Sequence, residues 1–368
     1  MVFHFRCFSI NERQDEVPRS LENYYTAQSD FDLRSTGSGP TSREGHIPNL
    51  NVKPGTLRVF SLDDLSKATK NFGESSKIGE GGFGSVYMGT IKRLEPPFDD
   101  IRVAVKRGKR GQKGHRQWVT EVNMLGEIKH EKLVKLIGYC SEDNGNESSW
   151  LLVYEYMPNK SLDDHLSPNS NNILSWDTRL NIARDAAIGL TYLHEGLGGT
   201  RQIIFRDFKP SNILLDENWN AKLSDFGFAR EGPQDGRTHV STSVVGTKGY
   251  TAPEYVHTGR LTSKIDVWSY GIFLTELITG RRPAAQKNSE NNSECMRWVC
   301  CYAGAGNLKL IADPRLQGKY SEKSMLKLSS IADKCLLMDP KSRPTMKEVL
   351  AMVNVALVLE NQHVNGGN

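Results

Sequence analysis

Gly79-Glu-Gly-Gly-Phe-Gly84 is the stretch that most restricts how this chain folds. A glycine turn of the form GxGxxG can lay its backbone against phosphates in two contexts. In dinucleotide-binding folds a helix starts directly after the last glycine, and its N-terminus holds the pyrophosphate. Here the following residues are Ser85-Val-Tyr-Met-Gly-Thr-Ile91, a β-rich run, and Ile101-Arg-Val-Ala-Val-Lys106 is a second one. That context favours a two-stranded flap whose glycine backbone covers phosphates, with a plain glycine-rich hairpin as the alternative. A dinucleotide-dependent oxidoreductase lacks the helix it would need.

Hydrophobic spacing divides the rest of the chain. Strand-like runs occupy Ile78 to about Lys106. Arg116 to about Ile128 reads as a helix with Trp118, Val122, Leu125 and Ile128 on one face. Leu133–Ile137 and Trp150–Tyr156 read as two further strands. Beyond Pro158 the spacing turns helical, at Trp176–His194, Lys264–Thr279 and Glu322–Met338. A strand-rich part before a helix-rich part predicts an α+β molecule of two packed lobes. The small β-rich N-lobe with one key helix covers about 72–157, and the larger helical C-lobe about 158–356. Ahead of it, Ser61 and Asp64 form a capping-box pattern for a helix carrying Leu62, Leu65 and Ala68. Residues 1–55 include Arg34-Ser-Thr-Gly-Ser-Gly-Pro-Thr-Ser-Arg43, too poor in apolar side chains to offset the entropy of ordering, and are expected to be disordered. Residues 357–368 are expected to be a short flexible tail, and Ala284–Gly306 reads as an atypical loop and helix.

The charge balance narrows the function classes. Lysine plus arginine number 47 against 43 acidic residues, a net charge of +4, which does not suggest a nucleic-acid partner. The basic run from Lys106 to Arg116 is expected to be a solvated loop entering a helix. The 6 cysteines are too sparse for a disulfide framework and lack zinc-site spacing, which points to a reducing compartment. No apolar run reaches the ~18 residues of a spanning helix. The first ten residues are too short and polar for a signal peptide. Val2 excludes N-myristoylation, and Cys7 among phenylalanines leaves acylation as a route to peripheral membrane contact.

Further motifs carry chemistry. Val103-Ala-Val-Lys106 ends a strand on a lysine whose head either snorkels to solvent or holds α- and β-phosphates. In the second case a carboxylate must fix it, and Glu121 stands in the following helix. Ile203 to Asp216 sets Asp207, Lys209 and Asn212 in a polar loop between two apolar β-runs. The acid can accept a hydroxyl proton, the lysine can neutralise a transferring phosphoryl group, and the asparagine offers a neutral oxygen to magnesium. Ser224-Asp-Phe-Gly227 supplies Asp225, a hard oxygen ligand suited to the same ion. Ala252-Pro-Glu254 follows after a segment rich in serine and threonine.

This ordered set resembles the eukaryotic protein kinase signature over about residues 72 to 356. A finer likeness is to the plant receptor-like cytoplasmic serine/threonine kinases. It is carried by Leu151-Leu-Val-Tyr-Glu-Tyr-Met157, the run from Phe205 to Leu215, Ser241-Thr-Ser-Val-Val-Gly-Thr-Lys-Gly-Tyr250 and Asn71-Phe-Gly. The resemblance implies ATP with Mg2+, or Mn2+ in its place. It makes Asp207 the catalytic base and Lys106 the phosphate anchor, with Glu121 holding Lys106. Lys209 would shield charge, and Asn212 and Asp225 would hold the metal. Around the nucleotide it sets Ile78, Gly79, Gly81, Gly84, Val86, Ala104 and Leu214, with the backbone of Glu155 and Met157 at the adenine and Tyr154 as gatekeeper. Asp266 would brace the catalytic loop, and Arg343 would pair with Glu254. Phe205 departs from the pattern, since the family usually has histidine there. It should keep the packing against Phe226 and lose a hydrogen bond. Arg206 implies regulation by a phosphate on the activation segment, with Ser241, Thr242 and Ser243 ahead of Thr238 and Thr247. Lys209 and Thr247 match the serine/threonine pattern. The implied role is a cytoplasmic relay, with peripheral contact at the plasma membrane as an option, that phosphorylates protein substrates below a plant receptor kinase in immune or developmental signalling. A catalytically weak kinase-fold scaffold is the alternative.

Overall fold

The computed structural model describes residues 50, 56–81, 84–94, 96–109, 111–143, 148–196, 201–234, 236–282 and 308–366. Expectations for Cys7 and its surroundings, and for 284–306, lie outside these residues.

Alternation builds the N-lobe. Gly84–Lys92 (β3) and Asp100–Gly108 (β4) turn Tyr87, Ile91, Val103 and Val105 inward and leave their neighbours more exposed. With Arg58–Val59 (β1), Lys77–Gly81 (β2), Leu136–Asp143 (β5) and Ser148–Glu155 (β6) they form a 6-stranded sheet in the order β1-β5-β6-β4-β3-β2. Every pairing is antiparallel except β1 with β5. Helix Gln112–Glu127 (α2) lies on one face and buries Trp118, Val119, Val122 and Leu125. The strand expected at Leu133–Ile137 starts only at Leu136. Leu133 and Val134 are buried, and Leu133 instead forms a parallel bridge to Leu223 in the C-lobe.

The opposite face is closed by a strap ahead of the lobe. Ser61 caps helix Leu62–Ala68 (α1) through the capping box with Asp64. Phe60 and Leu65 pack with Ile91, Val103, Val105, Cys140, Leu151 and Val153 in a separate apolar cluster. Gly138 makes this docking feasible, because a Cβ there would lie 2.0 Å from the Arg58 carbonyl oxygen. Leu62 N–H donates to Glu142 Oε1 at 2.8 Å and fixes the strap at its far end.

The C-lobe is arranged around helix Lys264–Thr279 (α6), buried along nearly its whole length. Trp176–Glu195 (α4), Glu322–Cys335 (α8) and Met346–Gly366 (α9) pack with it into a core that also includes the apolar face of α2. A buried Arg179–Asp313 pair at 2.7 Å closes its far side. The expected flexible tail is corrected here. Helix α9 runs to Gly366, with Ala356 and Leu357 buried and Glu360 accepting from Ser321 N–H at 3.0 Å and Ser324 Oγ at 2.6 Å. A carboxylate with two buried donors anchors a stretch whose composition alone looks like a loose end. Short strands Ile203–Ile204 (β7), Ile213–Leu215 (β8), Ala221–Leu223 (β9), Arg230–Glu231 (β10), Val240–Ser241 (β11) and Arg260–Leu261 (β12), with helix Pro253–Thr258 (α5), carry the polar loops to the face that meets the N-lobe.

Candidate active site

Lys106 sits near the end of β4 and points into the cleft. Its Nζ donates to Glu121 Oε1 at 2.6 Å and to Asp225 Oδ1 at 3.0 Å. Burial alone would favour the neutral amine, but the two carboxylates outweigh it and hold Lys106 above its ordinary pKa. Burial pushes the Glu121 carboxyl upward against the pull of Lys106. At Asp225 the order is reversed. Burial works against the charge, yet the Lys106 ammonium together with hydrogen bonds from Lys106 and Glu121 outweighs it and keeps the carboxyl below its ordinary value. Glu121 is held from a second side by the Tyr154 hydroxyl, which donates to its Oε2.

The loop after β7 carries the other half. Phe205 N–H and Arg206 N–H each donate to the Asp266 carboxylate at 2.8 Å, and Asp266 is fully buried. Arg206 is held at a φ of 73° and Asp225 at 66°, a region that side chains other than glycine rarely occupy. Asp207 is buried next to them. Its Oδ2 lies 2.9 Å from Lys209 Nζ, and its Oδ1 accepts from Thr247 Oγ1 at 2.6 Å. Thr247 Oγ1 in turn accepts from Lys209 Nζ at 2.6 Å. Asn212 Nδ2 donates to the Asp207 carbonyl at 2.9 Å and to its Oδ2 at 3.2 Å. Phe205 meets Phe226 edge-on, ring centroids 5.0 Å apart, so packing is retained without a ring hydrogen bond.

The donor chemistry suits a magnesium-type ion. The Asn212 amide nitrogen is committed to Asp207, which leaves its amide oxygen available, and with the Asp225 carboxylate it would make a small set of hard oxygens. Among the described residues no cluster of three or more His, Cys, Asp or Glu side chains forms a self-sufficient metal cage. Such a set would take its remaining ligands from phosphates and water.

The residues expected around a nucleotide lie on or next to strands β2, β3, β4, β6 and β8. Gly79 and Gly81 lie in β2, and Gly84 opens β3 at a φ of 128°. A Cβ at Gly84 would come within 2.1 Å of the Arg107 carbonyl oxygen, so the flap closes against β4 only with glycine there. Ile78 is exposed on β2, whereas Val86 and Ala104 are half-buried on β3 and β4. Glu155 ends β6, Met157 is buried just beyond it, and half-buried Leu214 lies below on β8.

On the activation segment, Thr242 Oγ1 accepts from Arg230 Nη1 at 2.8 Å and from Arg206 Nη2 at 3.4 Å. Ser241 is exposed on β11. Arg206 is nearly fully buried and donates to Tyr255 Oη at 2.6 Å and the Ser243 carbonyl at 2.9 Å, while its Nε has no hydrogen-bond partner among the described residues. Burial lowers its pKa. Arg343 forms a two-pronged pair with Glu254 at 2.7 and 2.8 Å.

Sequence reasoning missed three contacts. Tyr154 bonding to Glu121, Thr247 bonding to Asp207, and Lys222 bonding to Glu155 join residues 33, 40 and 67 positions apart. The only signal available was the residue type at Tyr154 and Thr247, and none marked Lys222.

Comparison with known proteins agrees with this geometry. A family model described as protein kinase domain matches residues 72–354. The Arabidopsis thaliana serine/threonine-protein kinase PCRK1 is 56% identical over 332 residues, covering 89% of this chain and 79% of that protein. PCRK2 of the same plant is 55% identical over 344 residues, covering 92% and 81%. The probable serine/threonine-protein kinase PBL2 is 45% identical over 329 residues, covering 86% and 76%.

Proposed function

The chain belongs to the protein kinase family, and from that premise we propose that it transfers the γ-phosphoryl group of ATP to serine or threonine hydroxyls of proteins. The observation that carries this reading is the convergence of Lys106, Glu121, Asp207, Asn212 and Asp225 on one cleft from four separate stretches of chain. Phosphoryl transfer needs alignment and charge stabilisation more than covalent help. A bound divalent ion would supply charge neutralisation at the phosphates, with Asn212 and Asp225 as its protein ligands. Asp207 orients the acceptor hydroxyl and takes its proton at the carboxylate. Thr247 supports this assignment, because its own hydroxyl already donates to Asp207 Oδ1 as an acceptor hydroxyl would. Lys209 stands 2.9 Å from the other oxygen and offsets charge on the transferring group. Lys106 orients the phosphates. Val86, Ala104 and Leu214 enclose the base, with Ile78 and the Gly79–Gly84 turn over the phosphates.

Arg206 and Arg230 form a cationic cradle at Thr242, so a phosphate on Thr242 would order the activation segment. Exposed Ser241 is the second candidate. The likeness to plant kinases supports a role as a cytoplasmic relay that takes its signal from a receptor kinase, with contact at the plasma membrane through the N-terminal segment. No helix of the described residues is long and apolar enough to cross a membrane. The scaffold alternative is not favoured, because the family model is of a protein kinase domain and the relatives named above are serine/threonine-protein kinases.

Transfer of labelled phosphate from ATP to casein tests the reading. Asp207→Asn should cut turnover by about 10²–10⁴-fold, the usual worth of a positioned base. Equal rates for Asp207→Asn and wild type would refute it.

A further inference from the structure

The strands at the back of the cleft are sewn together by a group that the transfer chemistry does not use. Glu155 ends β6, where the N-lobe passes into its connection with the C-lobe. Its side chain accepts from Lys222 Nζ through both oxygens, Oε1 at 2.9 Å and Oε2 at 2.8 Å. Lys222 is the middle residue of β9 in the C-lobe and stands opposite Leu214 in the β8–β9 pairing. Three residues later the same strand delivers Asp225.

The segment between α2 and β5 completes the joint from a third side. Lys135 N–H donates to Glu155 Oε1 at 2.8 Å, and Glu155 N–H donates to the Lys135 carbonyl at 3.0 Å. One residue back, Val134 N–H donates to the Leu223 carbonyl, and Leu223 N–H to the Lys132 carbonyl, both at 2.9 Å. Lys132 Nζ also lies 3.0 Å from Asp185 on α4, and Asp185 accepts from Ala221 N–H at 3.2 Å. The backbone therefore fixes residues 132–134 to β9 and Lys135 N–H to the Glu155 carboxylate, and Lys222 adds the charged side chain that ties this carboxylate directly to β9. Both members of the Lys222–Glu155 pair are mostly covered, at 18% and 27% side-chain exposure.

We propose that Lys222 is a positioning residue for nucleotide binding, through an ion pair with Glu155 that fixes the angle between the lobes. This rests on the kinase reading, since the hinge beside Glu155 matters to the reaction only if it receives the base. A pair that spans the only covalent turn behind the cleft restricts how far the cleft opens. An apo protein held near its binding-competent angle loses less affinity to the fraction of molecules that are open. The described partner of the Lys222 ammonium is Glu155 rather than Asp207 or Asp225, so its effect falls on ATP affinity rather than on the transfer step.

The test is steady-state phosphorylation of casein by the full chain at varied ATP, with Lys222→Met, Lys222→Arg, Glu155→Gln and the Lys222→Met/Glu155→Gln double variant. Thermal melting confirms that each is folded. Lys222→Met should raise the KM for ATP about three- to tenfold, the worth of one partly covered charge-assisted pair, with kcat within about twofold of wild type. Lys222→Arg should restore most of the affinity, and the double variant should be no worse than the worse single one, because both remove the same pair. A purely structural role would lower melting temperature without this split. An unchanged KM in a wild-type-active background would overturn the proposal, as would a gain in kcat at constant KM, which would make the pair a brake on closure. A wild-type chain that neither binds ATP nor transfers phosphate would instead remove the kinase reading and the proposal with it.

Discussion

Replacing Asp266 by alanine should cost the protein more than any change on its surface. The carboxylate is fully buried and takes hydrogen bonds at 2.8 Å from the N–H groups of Phe205 and Arg206, with His194 Nε2 at 2.8 Å from the same carboxylate. Alanine leaves two backbone donors buried without acceptors, at about 1–3 kcal/mol each. It also releases Arg206 from a φ of 73° that the loop holds only because its neighbours insist on it. A loss of about 4 kcal/mol lies in the middle of that range, and for a domain of this size it lowers the melting temperature by roughly 8–16 °C. Asp266→Asn keeps one oxygen acceptor and should fall between alanine and wild type. Thermal unfolding followed by circular dichroism reads the stability. Phosphate transfer to casein well below the lowest midpoint reads the loop, and both variants should lose activity there. A midpoint for Asp266→Ala within about 2 °C of wild type, with full activity, would show that the reasoning about orphaned donors is wrong.

Three other expectations follow from the geometry. Tyr154→Phe removes the hydroxyl on Glu121 Oε2 and should lower kcat/KM about three- to tenfold with little change in melting temperature; unchanged kinetics would count against the contact. Gly138→Ala puts a methyl group 2.0 Å from the Arg58 carbonyl oxygen and should expose residues 56–70 to limited proteolysis, which wild type resists. Burial raises the Glu276 carboxyl to about 8, so the folded state binds a proton that the unfolded chain gives up near the ordinary value of 4.5. Its contribution is fully present below the unfolded value and declines as pH rises towards the folded one, so Glu276→Gln should flatten the fall in melting temperature between about pH 5 and 8; parallel profiles for the two proteins would refute the assignment.

How much of this was legible before the structure depends on whether the information was local. The glycine turn, the lysine near the end of β4 and the aspartates of the two polar loops announce themselves within a few residues, and Lys106 is paired with Glu121 and Asp225. Helix α6 matches its expected span to the residue, because its apolar positions leave no other choice. What escaped was chemistry between distant positions. Nothing near Lys222 reveals Glu155, and Thr247 matches the serine/threonine pattern without its sequence showing the contact with Asp207 40 positions away. The end of the chain misled for the same reason. Residues 361–367 are polar and glycine-bearing in sequence, yet Glu360 just before them is held by partners on α8 and just ahead of it, at Ser324 and Ser321. The misplaced start of β5 is a tertiary effect too, since Leu133 and Val134 serve the joint with β9.

The docked strap means that the family boundary and the folding boundary of this protein differ. The kinase match begins at residue 72, whereas Phe60 and Leu65 already fill the outer apolar cluster of the sheet. A recombinant fragment cut at the match would retain every group in the cleft while leaving that layer and the β5 edge open to water. Such a fragment should self-associate and precipitate in place of the catalytic behaviour of the longer chain.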